Sequence, residues 1–156
     1  MKTLLIQIGK TVDKNYIDGI KDYVKRISHY MPFDILTIDG IKTTKNMTEE
    51  NQKELEGELI LKHIHITDKV VLLDEKGKEY TSIDFAQWLE KQRNISRRLV
   101  FVIGGPYGFS MQIYARANEK IALSKMTFSH QMIRLLFVEQ LYRSCTIIKG
   151  EPYHHK

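Results

Sequence analysis

The segment LVFVIGGPYG, residues 99–108, decides the fold class of this chain. Its first five residues are all apolar, as is typical of a strand that is buried on both faces. The strand leads directly into three glycines within five residues, a pattern that favours a sharp turn and lets a ligand approach the backbone. A plain strand-to-helix turn is the alternative interpretation. The spacing fits neither a dinucleotide-binding Gly-x-Gly-x-x-Gly loop nor a P-loop.

The rest of the chain alternates between strands and helices around this segment. Apolar runs predict further strands at Lys2–Ile8, Phe33–Asp39, Lys69–Asp74 and near Ile121–Ser124, with a turn at Gly77. Caps and helical spacing predict helices from Asp13 to about Tyr30, from Thr48 to about His65, from Ser82, from about Ser110, and over roughly Gln131–Tyr142. This alternation indicates an α/β fold with a mostly parallel sheet that is covered on both faces. Ligands of such sheets bind beyond the carboxyl ends of the strands, here residues 74 onward, 104–108 and 124–130.

Length and composition suit one soluble globular domain spanning residues 1–156, with 42% apolar and 28% charged residues. The single cysteine, Cys145, excludes a disulfide framework and a cysteine-based zinc site. His154 and His155 are adjacent and cannot easily bind one metal ion together. No apolar run approaches the roughly 20 residues that span a bilayer, and the N-terminal apolar run is too short for a secretory signal. We therefore expect a cytoplasmic protein without a metal ion or a membrane partner.

The two halves of the chain differ in charge. Residues 1–90 carry 13 Lys or Arg and 16 Asp or Glu, whereas residues 91–156 carry 11 Lys or Arg and only three Glu. A basic, arginine-rich second half favours an anionic partner such as nucleic acid or a phosphate-bearing ligand. A solvated protein face is the equally weighted alternative.

Two segments of the basic half combine histidine, arginine and tyrosine. His130 and Arg134 are four residues apart and share a helix face, and the helix N-terminus, with Ser129 as a suitable cap, should keep His130 unprotonated. Arg134 is a donor suited to phosphate, although an exposed histidine and a solvated arginine explain the spacing equally simply. Glu139 and Arg143 predict a surface ion pair, while Tyr142 and Arg143 together also suit contact with RNA.

The C-terminal segments offer further choices. The helix over Gln131–Tyr142 is apolar on most sides, which predicts burial in the core or in a subunit interface. In the tail Pro152–Lys156, Tyr153 can stack on a base and a histidine can exchange a proton near neutral pH. Chain ends are more often frayed and without function, so the tail is a weaker candidate by itself.

Taken in order along nearly the whole chain, several segments resemble the RlmH family of SPOUT-class ribosomal RNA methyltransferases. The residues that carry the resemblance are LLD at Leu72–Asp74, IGGPYG at Ile103–Gly108, LS and Thr within Leu123–Thr127, His130 with Arg134, E-x-LYR at Glu139–Arg143, and PYH at Pro152–His154. The family has a proline on either side of the His130 position, whereas this chain has Ser129 and Gln131. Each segment is weak alone, and their common order makes the match specific.

The resemblance implies an enzyme that uses S-adenosylmethionine to methylate N3 of a pseudouridine in the helix 69 loop of 23S rRNA on the assembled ribosome. It also implies a homodimer and a C-terminal trefoil knot over about residues 70–156. The residues that would contact the cofactor, carried over from the family, are Leu73, Gly105, Ser124, Lys125, Met126, Thr127, Phe128 and Ser129.

The chemistry suggests roles for the remaining residues. Because N3 of a pseudouridine must lose a proton before it attacks, His154 is a candidate base and Arg143 a candidate stabiliser of the anionic ring. The candidates for RNA contact are His130, Arg134, Tyr142, Arg143 and Tyr153.

Two other function classes remain open from the sequence. The first is a ribosome-binding module that keeps the knotted fold without catalysis, against which the glycine loop and the Ser124–Thr127 segment argue. The second is a small flavodoxin-like nucleotide-binding enzyme, against which the missing phosphate-loop spacing argues.

Overall fold

A computed structural model describes residues 1–155 of the chain. Strands and helices alternate in it as the sequence predicts. In chain order they are β1 (Lys2–Ile8), α1 (Lys14–Ile27), β2 (Phe33–Ile38), α2 (Glu49–Leu61), β3 (Lys69–Glu79), α3 (Ser82–Ile95), β4 (Arg98–Ile103), α4 (Met111–Arg116), β5 (Glu119–Ala122) and α5 (Met132–Lys149).

The five strands form one parallel sheet in the order β2-β1-β4-β3-β5, which confirms the predicted α/β class. Successive side chains of the central strand β4 point to opposite faces. Phe101 packs with Trp88 and Phe137 in the core on one face, while Val100 and Val102 belong to the core on the other. An unbroken apolar run is therefore what a strand covered on both faces requires.

The predicted helix starts are confirmed where a capping side chain was identified. The Asp13 carboxylate accepts a hydrogen bond from Asn15 N at 2.8 Å, and Thr48 Oγ1 accepts one from Asn51 N at 3.0 Å. These side chains satisfy backbone donors that the first turn of a helix leaves free.

Strand β3 does not end at Asp74 as predicted. It continues to Glu79, and its pairing with β5 shifts register between Leu73 and Lys78. The predicted turn at Gly77 is thus a bulge inside a strand, which projects residues 74–76 beyond the sheet. A Cβ atom at position 77 would stand 2.6 Å from the backbone nitrogen of Ile121, so only glycine lets the two strands approach here.

Helix α5 is longer than predicted. It runs past Tyr142 to Lys149 and ends at Gly150, whose φ of 73° is the left-handed cap that glycine adopts readily. Its apolar side is used within the chain, where Phe137, Leu141 and Cys145 are buried between α5 and the sheet. Helix α2, in contrast, is shorter than predicted, since it ends at Leu61 rather than near His65.

Candidate cofactor and catalytic sites

The bulge of β3 and the carboxyl ends of β4 and β5 meet at one edge of the sheet, where a cavity of about 790 Å³ opens. This is the place that the parallel topology predicts for a ligand. Its walls are the bulge of β3, the glycine loop after β4 and the segment between β5 and α5. The lining includes Leu73, Gly105, Ser124, Met126, Thr127, Phe128 and Ser129.

Those seven residues are all but one of the set that the family resemblance assigned to the cofactor. The exception is Lys125, whose side chain is 88% exposed and lies 3.8 Å from the Glu79 carboxylate. It does not line the cavity.

Hydrogen bonds fasten the segment between β5 and α5 to the rest of the cavity. Ser124 Oγ accepts from Met126 N at 3.0 Å, and the Thr127 hydroxyl donates to the Glu75 carboxylate on the β3 bulge. Ser129 Oγ accepts from the backbone nitrogen of Met132, the first residue of α5, at 3.1 Å, although Gln131 rather than Ser129 is the residue directly before the helix. The bulge thereby holds the segment that closes one side of the cavity.

Gly105 of the glycine loop lies against Glu56, which the sequence does not single out. A Cβ atom at position 105 would stand 2.6 Å from Oε2 of Glu56, a residue of α2 that is only 4% exposed. Burial raises the pKa of this carboxyl group. Glu56 gives no signal in the sequence, because it lies among several glutamates of a helix with a polar pattern. A bulky residue at 105 would press against Glu56 rather than fill the cavity.

His130 lines the cavity and is half-buried. Burial lowers its pKa, and the neighbouring charge of Arg134 lowers it further. The direction agrees with the expectation that His130 resists protonation, although desolvation rather than the helix end is the main cause. His130 is thus placed where it can contact a ligand in the cavity.

Arg134 corrects a prediction. It is fully buried and donates hydrogen bonds to the carbonyl oxygens of Ile8 and Gly9, at 2.6 and 3.0 Å, and to Thr11 Oγ1 at 3.0 Å. It has no exposed surface with which to contact RNA, so that assignment is wrong. The helical spacing of His130 and Arg134 gave no sign of carbonyl acceptors more than 120 residues earlier in the chain. Burial lowers the pKa of Arg134 to about 10, which leaves it charged at neutral pH.

Gln131 reinforces the same connection. Its side-chain amide accepts from Val12 N at 3.0 Å and donates to the Lys10 carbonyl at 3.2 Å. A proline, which the family resemblance suggests for this position, has no such groups. The substitution therefore ties the start of α5 to the segment after β1.

A second cluster lies near the other end of α5. Arg143 Nη2 is 2.6 Å from Glu139 Oε1, which confirms the predicted ion pair, and Arg143 Nη1 is 3.1 Å from Nδ1 of His154. The Tyr153 hydroxyl donates to the same Glu139 oxygen at 3.0 Å, and the Tyr142 and Tyr153 rings pack edge to face with centroids 4.7 Å apart. The glutamate raises the pKa of Arg143. The tail is thus held in place, and the two candidate catalytic residues are in contact.

The contact between Arg143 and His154 fixes the form of the imidazole. A guanidinium group only donates hydrogen bonds, so Nδ1 of His154 must be the acceptor. In a neutral ring the proton is then on Nε2, which makes Nε2 a donor. His154 can accept a proton only at the nitrogen that now faces Arg143.

The cavity and the cluster of Glu139, Arg143, Tyr153 and His154, here called the tail cluster, are separated along helix α5. Ile133 lines the cavity, and Arg143 lies ten residues further along α5. At 1.5 Å per residue, this places the two sites about 15 Å apart along the helix axis.

The sequence matches the family described as predicted SPOUT methyltransferase over residues 1–154, and the chain therefore belongs to that family and is a methyltransferase. Curated relatives named ribosomal RNA large subunit methyltransferase H cover all of this chain and all of their own length. The chain is 58% identical to that of Bacteroides fragilis, 59% to that of Phocaeicola vulgatus and 54% to that of Flavobacterium johnsoniae. These relatives confirm the resemblance to the RlmH family.

Within residues 1–155, no helix is both long and apolar enough to cross a membrane. Over the same residues, no three His, Cys, Asp or Glu side chains are grouped as metal ligands.

Proposed function

We propose that this protein transfers a methyl group from S-adenosylmethionine to N3 of a pseudouridine in the helix 69 loop of 23S rRNA, acting on the assembled ribosome in the cytoplasm. The observation that carries the proposal is the cavity between the bulge of β3 and the carboxyl ends of β4 and β5. Seven residues that the family resemblance assigns to the cofactor, from three separate segments of the chain, line it. We also propose that the chain is knotted over about residues 70–156.

The cavity suits the cofactor in size and in chemistry. Its volume of about 790 Å³ falls within the range of small-molecule sites, roughly 300–1,000 Å³. Gly105 lets a ligand approach the backbone, while Leu73 and Phe128 supply apolar walls and Ser124 and Thr127 supply hydroxyl groups. S-adenosylmethionine provides an electrophilic methyl group on a sulfonium. The protein then has to bind, orient and exclude water rather than supply an acid.

The tail cluster supplies the groups that act on the RNA base. Arg143 is always charged and can stabilise the anionic ring that results when N3 loses its proton. His154 can accept that proton once Nδ1 is released from Arg143, and until then it serves as a donor through Nε2. Tyr142 and Tyr153 are the aromatic residues that we propose to contact RNA, with His130 at the cavity.

The separation of the two sites supports a homodimer. Methyl transfer requires the reacting atoms to lie about 3–3.5 Å apart, whereas the cavity and Arg143 of one chain are about 15 Å apart along α5. We propose that the tail of one subunit faces the cavity of the other. Mixing a cavity-blocked subunit with a His154→Ala, Arg143→Ala subunit should restore part of the activity that each variant lacks alone, and no recovery in proven mixed dimers would contradict this arrangement.

Calorimetric titration with S-adenosylmethionine tests the cofactor assignment. The wild type should bind saturably. Ser124→Trp, which fills the cavity, should abolish binding. The control, Ile66→Trp, changes an exposed residue three positions before β3 begins and should leave binding intact. Transfer of a labelled methyl group to ribosomes but not to free RNA fragments would then support the substrate. A folded wild type that binds no cofactor would refute the methyltransferase assignment to this cavity and favour a ribosome-binding module.

A role for His154 in turnover has its own test. His154→Ala should lower the rate of methyl transfer while leaving the affinity for S-adenosylmethionine intact, because we propose that His154 acts on the RNA base and does not hold the cofactor. An unchanged rate would remove His154 from the mechanism.

A further inference from the structure

Glu56 is a buried acid that has no assigned role in the cavity or in the tail cluster of Glu139, Arg143, Tyr153 and His154. Only 4% of the residue is exposed, and its Oε1 has no hydrogen-bond partner in the part of the chain that the structure describes. Gln52, one turn earlier in α2, favours the charged form only weakly against the effect of burial. A buried carboxyl group without a partner costs free energy, and glutamine or methionine would fill the same space at less cost. Packing alone therefore does not explain a glutamate here.

The position of Glu56 relates it to the cavity. Both carboxyl oxygens lie within 3 Å of the point where a Cβ of residue 105 would stand, so the carboxyl group contacts the glycine loop from behind. Gly105 forms part of the cavity wall, and Lys53, from the same helix, reaches the cavity rim. The Glu56 carboxyl group therefore lies directly against the backbone of a residue that lines the cavity.

The ligand proposed for this cavity changes charge during the reaction. Its sulfur is cationic before transfer. When the methyl group leaves, the sulfur keeps the electron pair of the broken bond and becomes neutral, while the anionic N3 forms the new bond and also becomes neutral. A carboxylate next to this wall would attract the cationic donor more than the neutral product, and the approach of the cation would favour ionisation of Glu56 against the effect of burial. The acids at the rim, Asp74 and Glu75, are less buried and already accept hydrogen bonds from Tyr114 and Thr127, so solvent screens them more strongly.

We propose that Glu56 is a specificity-determining residue that acts through the Gly105 wall to favour a cationic methyl donor over the neutral product. The inference rests on the proposed function, since it requires the sulfonium cofactor to occupy this cavity. Glu56 does not touch the cofactor and takes no part in bond formation. Its effect is to hold the donor more tightly and to help the product leave.

Titration of Glu56→Gln with two ligands tests the proposal. The variant keeps the size of the side chain and removes its charge. We expect its affinity for S-adenosylmethionine to fall about tenfold, equivalent to about 1.4 kcal/mol, with less than a twofold change for S-adenosylhomocysteine. Sinefungin, which carries an ammonium group near the position of the sulfonium, should follow the cationic donor. Glu58→Gln, an exposed glutamate of the same helix, is the matched control and should change neither affinity.

The ratio of the two affinities separates the possible outcomes. A partly misfolded variant would lose binding sites for both ligands and leave the ratio unchanged, and circular dichroism would show the loss of structure. If folded Glu56→Gln weakens both ligands equally, or neither, the charge of Glu56 does not select the donor and the proposal is wrong. If the wild type binds no S-adenosylmethionine at all, the proposed function fails first and this inference fails with it.

Discussion

Replacement of Arg134 by methionine should destabilise the protein strongly. The guanidinium group donates three hydrogen bonds, two of them to carbonyl oxygens at the end of β1, and the residue is fully buried. Methionine fills similar space but leaves those acceptors without donors in a site that water does not reach. The arginine thus connects α5 to the opposite end of the chain.

The size of the effect follows from the number and kind of these bonds. Each hydrogen bond to a charged group contributes roughly 1.5–3 kcal/mol, but the cost of burying the charge offsets part of the sum. Leaving a buried acceptor unpaired costs roughly 1–3 kcal/mol, so three acceptors, less the relieved cost of burying the charge, give a loss of about 3–5 kcal/mol. With a urea m-value of about 2 kcal/mol/M for a chain of this size, the midpoint of unfolding should fall by roughly 1.5–2.5 M.

Equilibrium unfolding in urea, followed by circular dichroism at one protein concentration, measures this shift. Arg97→Met is the matched control, because that arginine side chain is exposed, and its midpoint should move by less than about 0.25 M. Arg134→Lys should lie between the wild type and Arg134→Met, since an ammonium group cannot match the planar fork of a guanidinium. A shift below about 0.5 M for Arg134→Met would refute the view that this arginine anchors α5.

Three further predictions concern stability and reactivity. Because burial raises the folded-state pKa of Glu56 above its unfolded value, the wild type should lose stability as pH rises from about 4.5 towards neutrality. Urea unfolding across that range should show a smaller loss for Glu56→Gln, and parallel curves would contradict the raised pKa. Gly77→Ala should lower the free energy of unfolding by at least about 2 kcal/mol and Gly105→Ala by about 1 kcal/mol. The added methyl group meets the backbone of β5 at position 77 but only the end of the Glu56 side chain at position 105. Equal midpoints of urea unfolding for the two variants would contradict this. Burial raises the pKa of Cys145 to about 11, so the folded protein should react with iodoacetamide at pH 8 far more slowly than the urea-unfolded chain.

The sequence predicted the sheet well because the signals for buried strands are local. Each strand of a parallel sheet with two covered faces is a short apolar run, and the run Leu99–Ile103 needs no information from elsewhere in the chain to be recognised. The caps Asp13 and Thr48 are equally local, since each side chain binds a backbone donor two or three residues later. The position of the cavity followed from the topology alone.

The failures came from contacts between distant residues. Arg134 looked like a solvated donor because its acceptors, the carbonyls of Ile8 and Gly9, leave no trace in the side-chain pattern. Glu56 looked like one more surface glutamate because its burial depends on the approach of the loop at Gly105. The bulge of β3 was interpreted as a turn, since a glycine required by a neighbouring backbone and a glycine required by a turn are identical in sequence.

Helix α5 connects the two candidate sites of the chain. His130 and Gln131 directly precede the helix and Arg134 lies in its first turn. His130 borders the cavity, while Gln131 and Arg134 fix the helix to the segment at the end of β1. Ten residues beyond the cavity, the same rigid helix presents Arg143 with the C-terminal tail. Because a helix holds its length, the two positions stay about 15 Å apart along its axis within one chain, whereas a second copy in the opposite orientation can bring its tail to the cavity of the first. This separation along α5 therefore supports our proposal that the active unit is a pair of chains.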